Sequence, residues 1–183
     1  MATKIYFVSV NDLKENTTIS YAVEDKLLEN AIYDAGRISI EPILGTDLFN
    51  KIETEIGADT ISGVYQTLLD DYIYYAIIKA AEARSLLYLY AKIREKGIIT
   101  KDDQGASTVD ITVLNKMRDE ISSDYAYYAN RLTEYLCHNS SDYPEYSTNT
   151  EDELRPNKDN NYFVGLYLGN DKPAVKNLRD NSK

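Results

Sequence analysis

Cys137 and His138 stand side by side, the only thiol and the only imidazole in the chain. A cysteine–histidine pair can attack acyl groups when the imidazole takes the thiol proton. Neighbours on a helix point about 100° apart, however, which is poor geometry for two groups acting on one substrate. A buried or half-buried structural role is therefore the expectation for this pair. One cysteine rules out a disulfide within the chain and a CxxC-type zinc site, and one histidine removes most metal-ligand and acid–base sets. Carboxylates remain. Glu53, Asp70, Glu82 and Glu120 have the side chains for a di-metal centre inside a helical bundle, but that centre wants Glu-x-x-His twice, so these residues and the pairs Asp70-Asp71 and Asp119-Glu120 read as solvated helix faces. Lys101-Asp102-Asp103-Gln104-Gly105 has the composition of a calcium loop without its ligand spacing or closing glutamate, and reads as a turn. There is no GxGxxG, Walker loop, HExxH or GxSxG elbow. The expectation is a protein that is not an enzyme and needs no cofactor or metal.

The unusual chemistry is phenolic: 17 tyrosines and no tryptophan in 183 residues. Tyr72, Tyr74, Tyr75, Tyr88 and Tyr90 fall in one long apolar segment, and Tyr125, Tyr127, Tyr128 and Tyr135 in a second. Tyr72 with Tyr75, and Tyr125 with Tyr128, are spaced to share a face and so to pack in a core. Tyr74 and Tyr127 must then point elsewhere. An aromatic body with a polar tip suits a surface buried in an assembly, so Tyr74, Tyr88 and Tyr127 are candidate subunit-interface residues.

The elements that would position these residues are mostly helical. Lys4 to Val10 is β-branched and aromatic and reads as extended or a strand. Ser20 offers a cap for a helix from about Tyr21 to Ile40, which Pro42 stops. Thr46 can cap a shorter helix through Ile56. A third helix is expected from Gly63 to Lys96, apolar nearly all round from Tyr72 to Ala91 and ended by Gly97 after a basic last turn. Ile98 to Thr100 and Ser107 to Val109 flank a polar tip carrying Asp102, Asp103 and Gln104, and suggest a hairpin or ordered loop. Leu114, Met117, Ile121, Tyr125, Tyr128, Leu132 and Tyr135 then repeat every three or four residues as a seam to about Cys137. The fold class expected is mainly α: a helical bundle with a long antiparallel helix pair, a short β-hairpin or loop at its tip, and an extended C-terminal arm. Residues 1–139 would form the core and 140–183 the arm. Within the polar arm, Tyr162, Phe163, Val164, Leu166, Tyr167 and Leu168 form an apolar island that must dock on its own domain or a neighbour.

Thirty acidic against twenty basic residues give a net charge of −10, the wrong sign for a surface that grips nucleic acid. The N-terminus lacks the apolar core of a signal peptide, and Lys79, Glu82 and Arg84 interrupt the longest apolar run. A soluble, intracellular product with no membrane partner is expected.

The order of these parts resembles a known family. A helix ending in Ile38-Ser39-Ile40-Glu41-Pro42-Ile43-Leu44-Gly45, then Leu48-Phe49, a long helix, a polar tip and a second long helix is similar to the head–tail connector proteins of tailed bacteriophages. The tyrosine- and asparagine-rich composition further resembles ring proteins of crAss-like podoviruses. The resemblance covers about residues 20–138. It implies a structural adaptor of the virion: a homo-oligomeric ring, commonly twelve-fold, stacked between portal and a tail or second ring protein, with genomic DNA passing through a central channel without specific binding. The arm would clasp the next subunit or the portal, and the tip at Asp102, Asp103 and Gln104 is a candidate channel loop. A small dimeric helical regulatory or protein-binding module is the alternative.

Overall fold

A computed structural model describes residues 4–94, 97–100, 111–148, 150 and 153–158 of the chain. The segment before Ser9, expected to be extended or a strand, joins no sheet among the described residues and bends at Phe7 and Val8; it lays both into the core, with Phe7 stacked on Phe49 at 4.8 Å. Ser9 then starts helix α1 (Val10–Glu15) with a reciprocal cap: its Oγ accepts from the Asp12 N–H, and its own N–H donates to Asp12 Oδ2.

Lys14 of α1 is only 7% exposed, yet its ammonium is fully used. It donates to the carbonyls of Tyr21 and Val23 and pairs with Asp25 at 2.6 Å. Three acceptors offset the desolvation of the charge and hold the loop that enters helix α2 (Asp25–Ala35). Helix α2 therefore begins later than Ser20 suggested; the Ser20 hydroxyl accepts from the Ala22 N–H in a local turn instead.

Pro42 does not end the helical path. A π turn at Gly36–Ile40, closed by the Glu41 N–H on the Gly36 carbonyl, leads straight into helix α3 (Glu41–Leu44). The wider turn relieves the clash a proline ring makes with the carbonyl four residues back. The stop is Gly45, at φ 78° and ψ 157°, a region essentially open only to glycine. A Cβ there would lie 2.6 Å from Pro156 Cδ. Helix α4 (Thr46–Gly57) follows, with Leu48, Phe49 and Ile52 inward. Thr46 is not a cap; it is occupied by the distant segment near Leu154.

Helix α5 (Gly63–Leu68), a second π turn (Leu69–Ile73) and helix α6 (Tyr74–Tyr90) form one path. Helix α6 stops at Tyr90, short of the expected Lys96. Residues 91–94 become strand β1 (Ala91–Arg94), paired antiparallel with β2 (Gly97–Thr100) so that Ile93 faces Ile98 and Lys92 faces Ile99. Gly97 thus opens a strand rather than closing a helix, in keeping with the β-branched residues around it. The expected partner of residues 98–100, Ser107 to Val109, lies outside the described residues, as do Asp102, Asp103 and Gln104.

Helix α7 (Ile111–His138) returns along α6. Tyr72 meets Tyr135, Tyr75 meets Tyr128 and Lys79 meets Asp124, so the two helices are antiparallel. The protein is mainly helical, built on this long pair, as the periodicity predicted. Its all-round apolar helix is nevertheless covered within the chain: Ile73, Ala76, Ile77, Ile78, Ala80 and Ala81 are buried against α1, α2, α7 and the first π turn. At the far end of the expected seam, Met117 is exposed.

The boundary expected at 139/140 is not where the core ends. After two short 3-10 turns (Ser140–Asp142 and Pro144–Tyr146), Tyr143 and Tyr146 are fully buried. The chain then straps the α3–α4 corner: Thr46 N–H donates to the Leu154 carbonyl, Leu154 N–H to Thr46 Oγ1, and Asn157 N–H to the Pro42 carbonyl. The Asp47 carboxylate accepts from Thr148 Oγ1 and from both the N–H and Oγ1 of Thr150. The apolar island of the expected arm, residues 162–168, lies outside the described residues. Gly45→Ala is expected to lower stability by about 1–3 kcal/mol in urea unfolding, because it forces a side chain into a glycine-only conformation against Pro156. Tyr146→Ala should cost about 3–5 kcal/mol, the range for emptying an aromatic core site; a free arm would give no change.

Candidate assembly surface

The second π turn decides which tyrosines face outward. An extra residue in the turn rotates everything after it by about 100° relative to an unbroken α-helix. Tyr72, inside the turn, stacks face to face on Tyr135 at 3.8 Å, with the Arg131 guanidinium 5.0 Å from its ring. Tyr75, expected beside Tyr72 in the core, is instead 44% exposed.

Tyr75 heads a chain of rings across the α6–α7 face. It stacks on Tyr128 at 5.6 Å and 18°, Tyr74 abuts its edge at 5.4 Å, and Tyr127 abuts Tyr128 at 5.3 Å. Tyr127 is the most open of the four, 65% exposed. Tyr74 is half-buried, its hydroxyl accepting from Asn16 Nδ2 at 2.9 Å, and burial raises its phenol above the usual tyrosine range. Of the three candidate interface residues, Tyr127 therefore presents a free aromatic face and Tyr74 is largely spent inside the chain. Tyr88 is 40% exposed but lies against α2 through Asp34, and among the described residues it joins none of these ring contacts. The pattern missed Tyr75 because nothing in the residue types marks a π turn at Leu69–Ile73.

A second row of tyrosines faces inward and locks the strap. Tyr65 meets Tyr143 edge-on at 5.6 Å, and Tyr143 meets Tyr135 at 6.1 Å. The hydroxyls are satisfied: Tyr65 donates to Glu145 Oε2 at 2.7 Å, Tyr143 to the Val64 carbonyl, and Tyr135 shares a bond with Tyr143. Burial is the largest cause lifting all three of Tyr65, Tyr143 and Tyr146, with Tyr65 pushed up to about 12 and helped there by Glu145.

The side chains weighed and set aside as catalytic or metal-binding groups do not gather in one place among the described residues. Cys137 and His138 are both exposed, contrary to the buried role expected, and the Cys137 Sγ is 3.8 Å from the Tyr146 hydroxyl. Glu82 is not a solvated face residue: it is buried, paired with Lys79 at 3.1 Å, and accepts from Thr18 N–H and Oγ1. Lys79 also reaches Asp124 at 3.5 Å and so ties α6 to α7. Glu53 is taken by Arg37, whose guanidinium lies 4.6 Å over the Phe49 ring. Asp70 accepts from Gln66. Among the described residues no three His, Cys, Asp or Glu side chains gather as a metal site.

DUF6712, a family of unknown function, matches residues 40–155. The chain belongs to this family. No curated protein and no solved structure matches it. The DUF6712 segment runs from Ile40, at the end of the first π turn, through both long helices to Arg155 in the strap. The family unit thus includes the tyrosines of residues 140–146 that close the core.

Because burial raises the Tyr65 phenol, folding favours its neutral form. Its contribution is complete below about pH 10, where unfolded tyrosine is protonated, and is lost as the pH rises toward about 12. Urea midpoints should therefore fall between these limits, and less steeply in Tyr65→Phe.

Proposed function

We propose that this protein is a structural head–tail connector: an adaptor ring of a tailed-phage virion, joining portal to tail and lining the channel for the genome. The observation that carries this reading is the corner Ile40–Phe49 followed by a long antiparallel helix pair, the order in which the chain resembles that family. The corner's Ile40, Leu44, Leu48 and Phe49 are all buried, and Gly45 turns the chain between them.

The surface supports the reading in two ways. Tyr75, Tyr127 and Tyr128 offer aromatic area on rigid helices, at little entropic cost to a partner that buries it. The net charge of −10 suits a channel wall past which DNA must slide without being held. Among the described residues no helix is long and apolar enough to cross a membrane. The partners in this reading are other copies of the chain, in a ring of about twelve, the portal, and a tail or second ring protein. The adaptor performs no catalysis, and its place is the head–tail junction of the virion.

Sedimentation of the full chain, alone and mixed with a tailed-phage portal protein, tests the proposal. Rings alone or on portal are the expected result. Tyr127→Ser should weaken assembly about tenfold while moving the unfolding free energy by no more than about 0.5 kcal/mol, as befits an exposed site. A monomer at every concentration that also ignores portal would overturn the reading. A discrete dimer indifferent to portal would put the regulatory module in its place.

A further inference from the structure

On an acidic protein, a cleft with two guanidinium groups is out of character. One lies where the first π turn meets α6 and α7, a cavity of about 290 Å³. Arg84 enters it from α6; Arg118 and Ser122, one turn apart on α7, enter from the other side. Ala80 and Ala83 leave the floor open, since neither side chain extends beyond Cβ. Ser39, in the first π turn, lines it as well.

The polar groups are only partly used. Arg84 Nη2 donates to Ser39 Oγ at 3.3 Å, and among the described residues no carboxylate lies within ion-pairing distance of Arg84. Among the described residues Arg118 has a single long contact, 3.9 Å to its neighbour Asp119. The Tyr125 hydroxyl is committed to the Ser39 carbonyl at 2.9 Å, which holds the π turn against α7 and fixes Ser39 in place. Arg84, Arg118, Ser122 and Ser39 thus line one cleft from two helices and a turn.

We infer that this cleft is a binding site for a phosphate monoester or inorganic phosphate, held by Arg84, Arg118, Ser122 and Ser39. Two cations lining one cleft match a dianion, and donors on two helices and a turn suit a tetrahedral group better than a flat carboxylate, which one guanidinium satisfies alone. The site does not depend on the ring proposal, since every residue in it belongs to one chain.

Calorimetric titration of the full chain with inorganic phosphate, in a buffer free of phosphate and sulfate, tests the inference. One saturable site per chain is expected, weakened about tenfold by Arg84→Gln and by Arg118→Gln. Arg118 is the safer variant, its head group having among the described residues only the 3.9 Å contact to Asp119, and thermal unfolding checks both. Acetate at equal concentration should not compete. Three outcomes would overturn the assignment: no saturation by about 10 mM phosphate, affinity unchanged in folded Arg118→Gln, or acetate binding as well as phosphate. Binding of a double-stranded oligonucleotide that Arg118→Gln abolishes, without binding of phosphate, would assign the cleft to phosphodiesters and likewise overturn it.

Discussion

Helix α6 carries apolar side chains on nearly every side, and the rest of the molecule is arranged to keep water from them. A helix with a single greasy stripe needs one neighbour; this one needs several. Helix α7 packs along it, α2 and the first π turn lie across another side, and α1 touches it as well, leaving Tyr75 and Tyr88 partly exposed. Burying that surface takes Glu82 of α6 out of water, and the structure meets it with Lys79, which also reaches Asp124. Unpaired, the Glu82 carboxylate would carry a desolvation penalty larger than most single packing contacts return.

Two π turns make the covering possible. The first lets the chain pass through Pro42 without breaking its helical path and delivers Ser39 to Tyr125 and Arg84. The second re-phases α6 so that Tyr72 goes inward and Tyr75 outward. Between them, Gly45 turns sharply enough for the strap to lie against the corner, where backbone pairing at Thr46 and Pro42 fixes residues 154–157. The strap brings two aromatic side chains into a core that the long helices alone leave open at that end.

The division of tyrosines into an inner and an outer row links fold to proposed function. The inner row has its hydroxyls bonded and its rings packed, and it belongs to stability. The outer row stacks Tyr75 on Tyr128, with Tyr127 edge-on, and leaves Tyr127 and Tyr75 open; the proposed assembly rests on it. The guanidinium cleft is a different kind of surface: concave, charged and built from polar donors, suited to a small anion rather than to a broad partner.

Helical periodicity alone was enough to show a mainly α chain and the antiparallel pairing of its two longest segments, because a repeat of three and four residues admits few other solutions. The glycine at position 45 and the Leu48-Phe49 pair after it were also legible as a corner, since a glycine between apolar runs has few other uses. What the residues could not reveal was phase and long-range contact. A π turn has no composition of its own, so Tyr75 and Tyr72 could not be sorted by spacing. Tyr143 and Tyr146 sit in a polar stretch whose average hides them, and only the pocket between Tyr65, Tyr135 and Cys137 gives them a place. Glu82 read as surface, and nothing marked Lys14 as buried, for the same reason: a charge is tolerated inside only where partners converge on it, and that convergence exists in three dimensions alone.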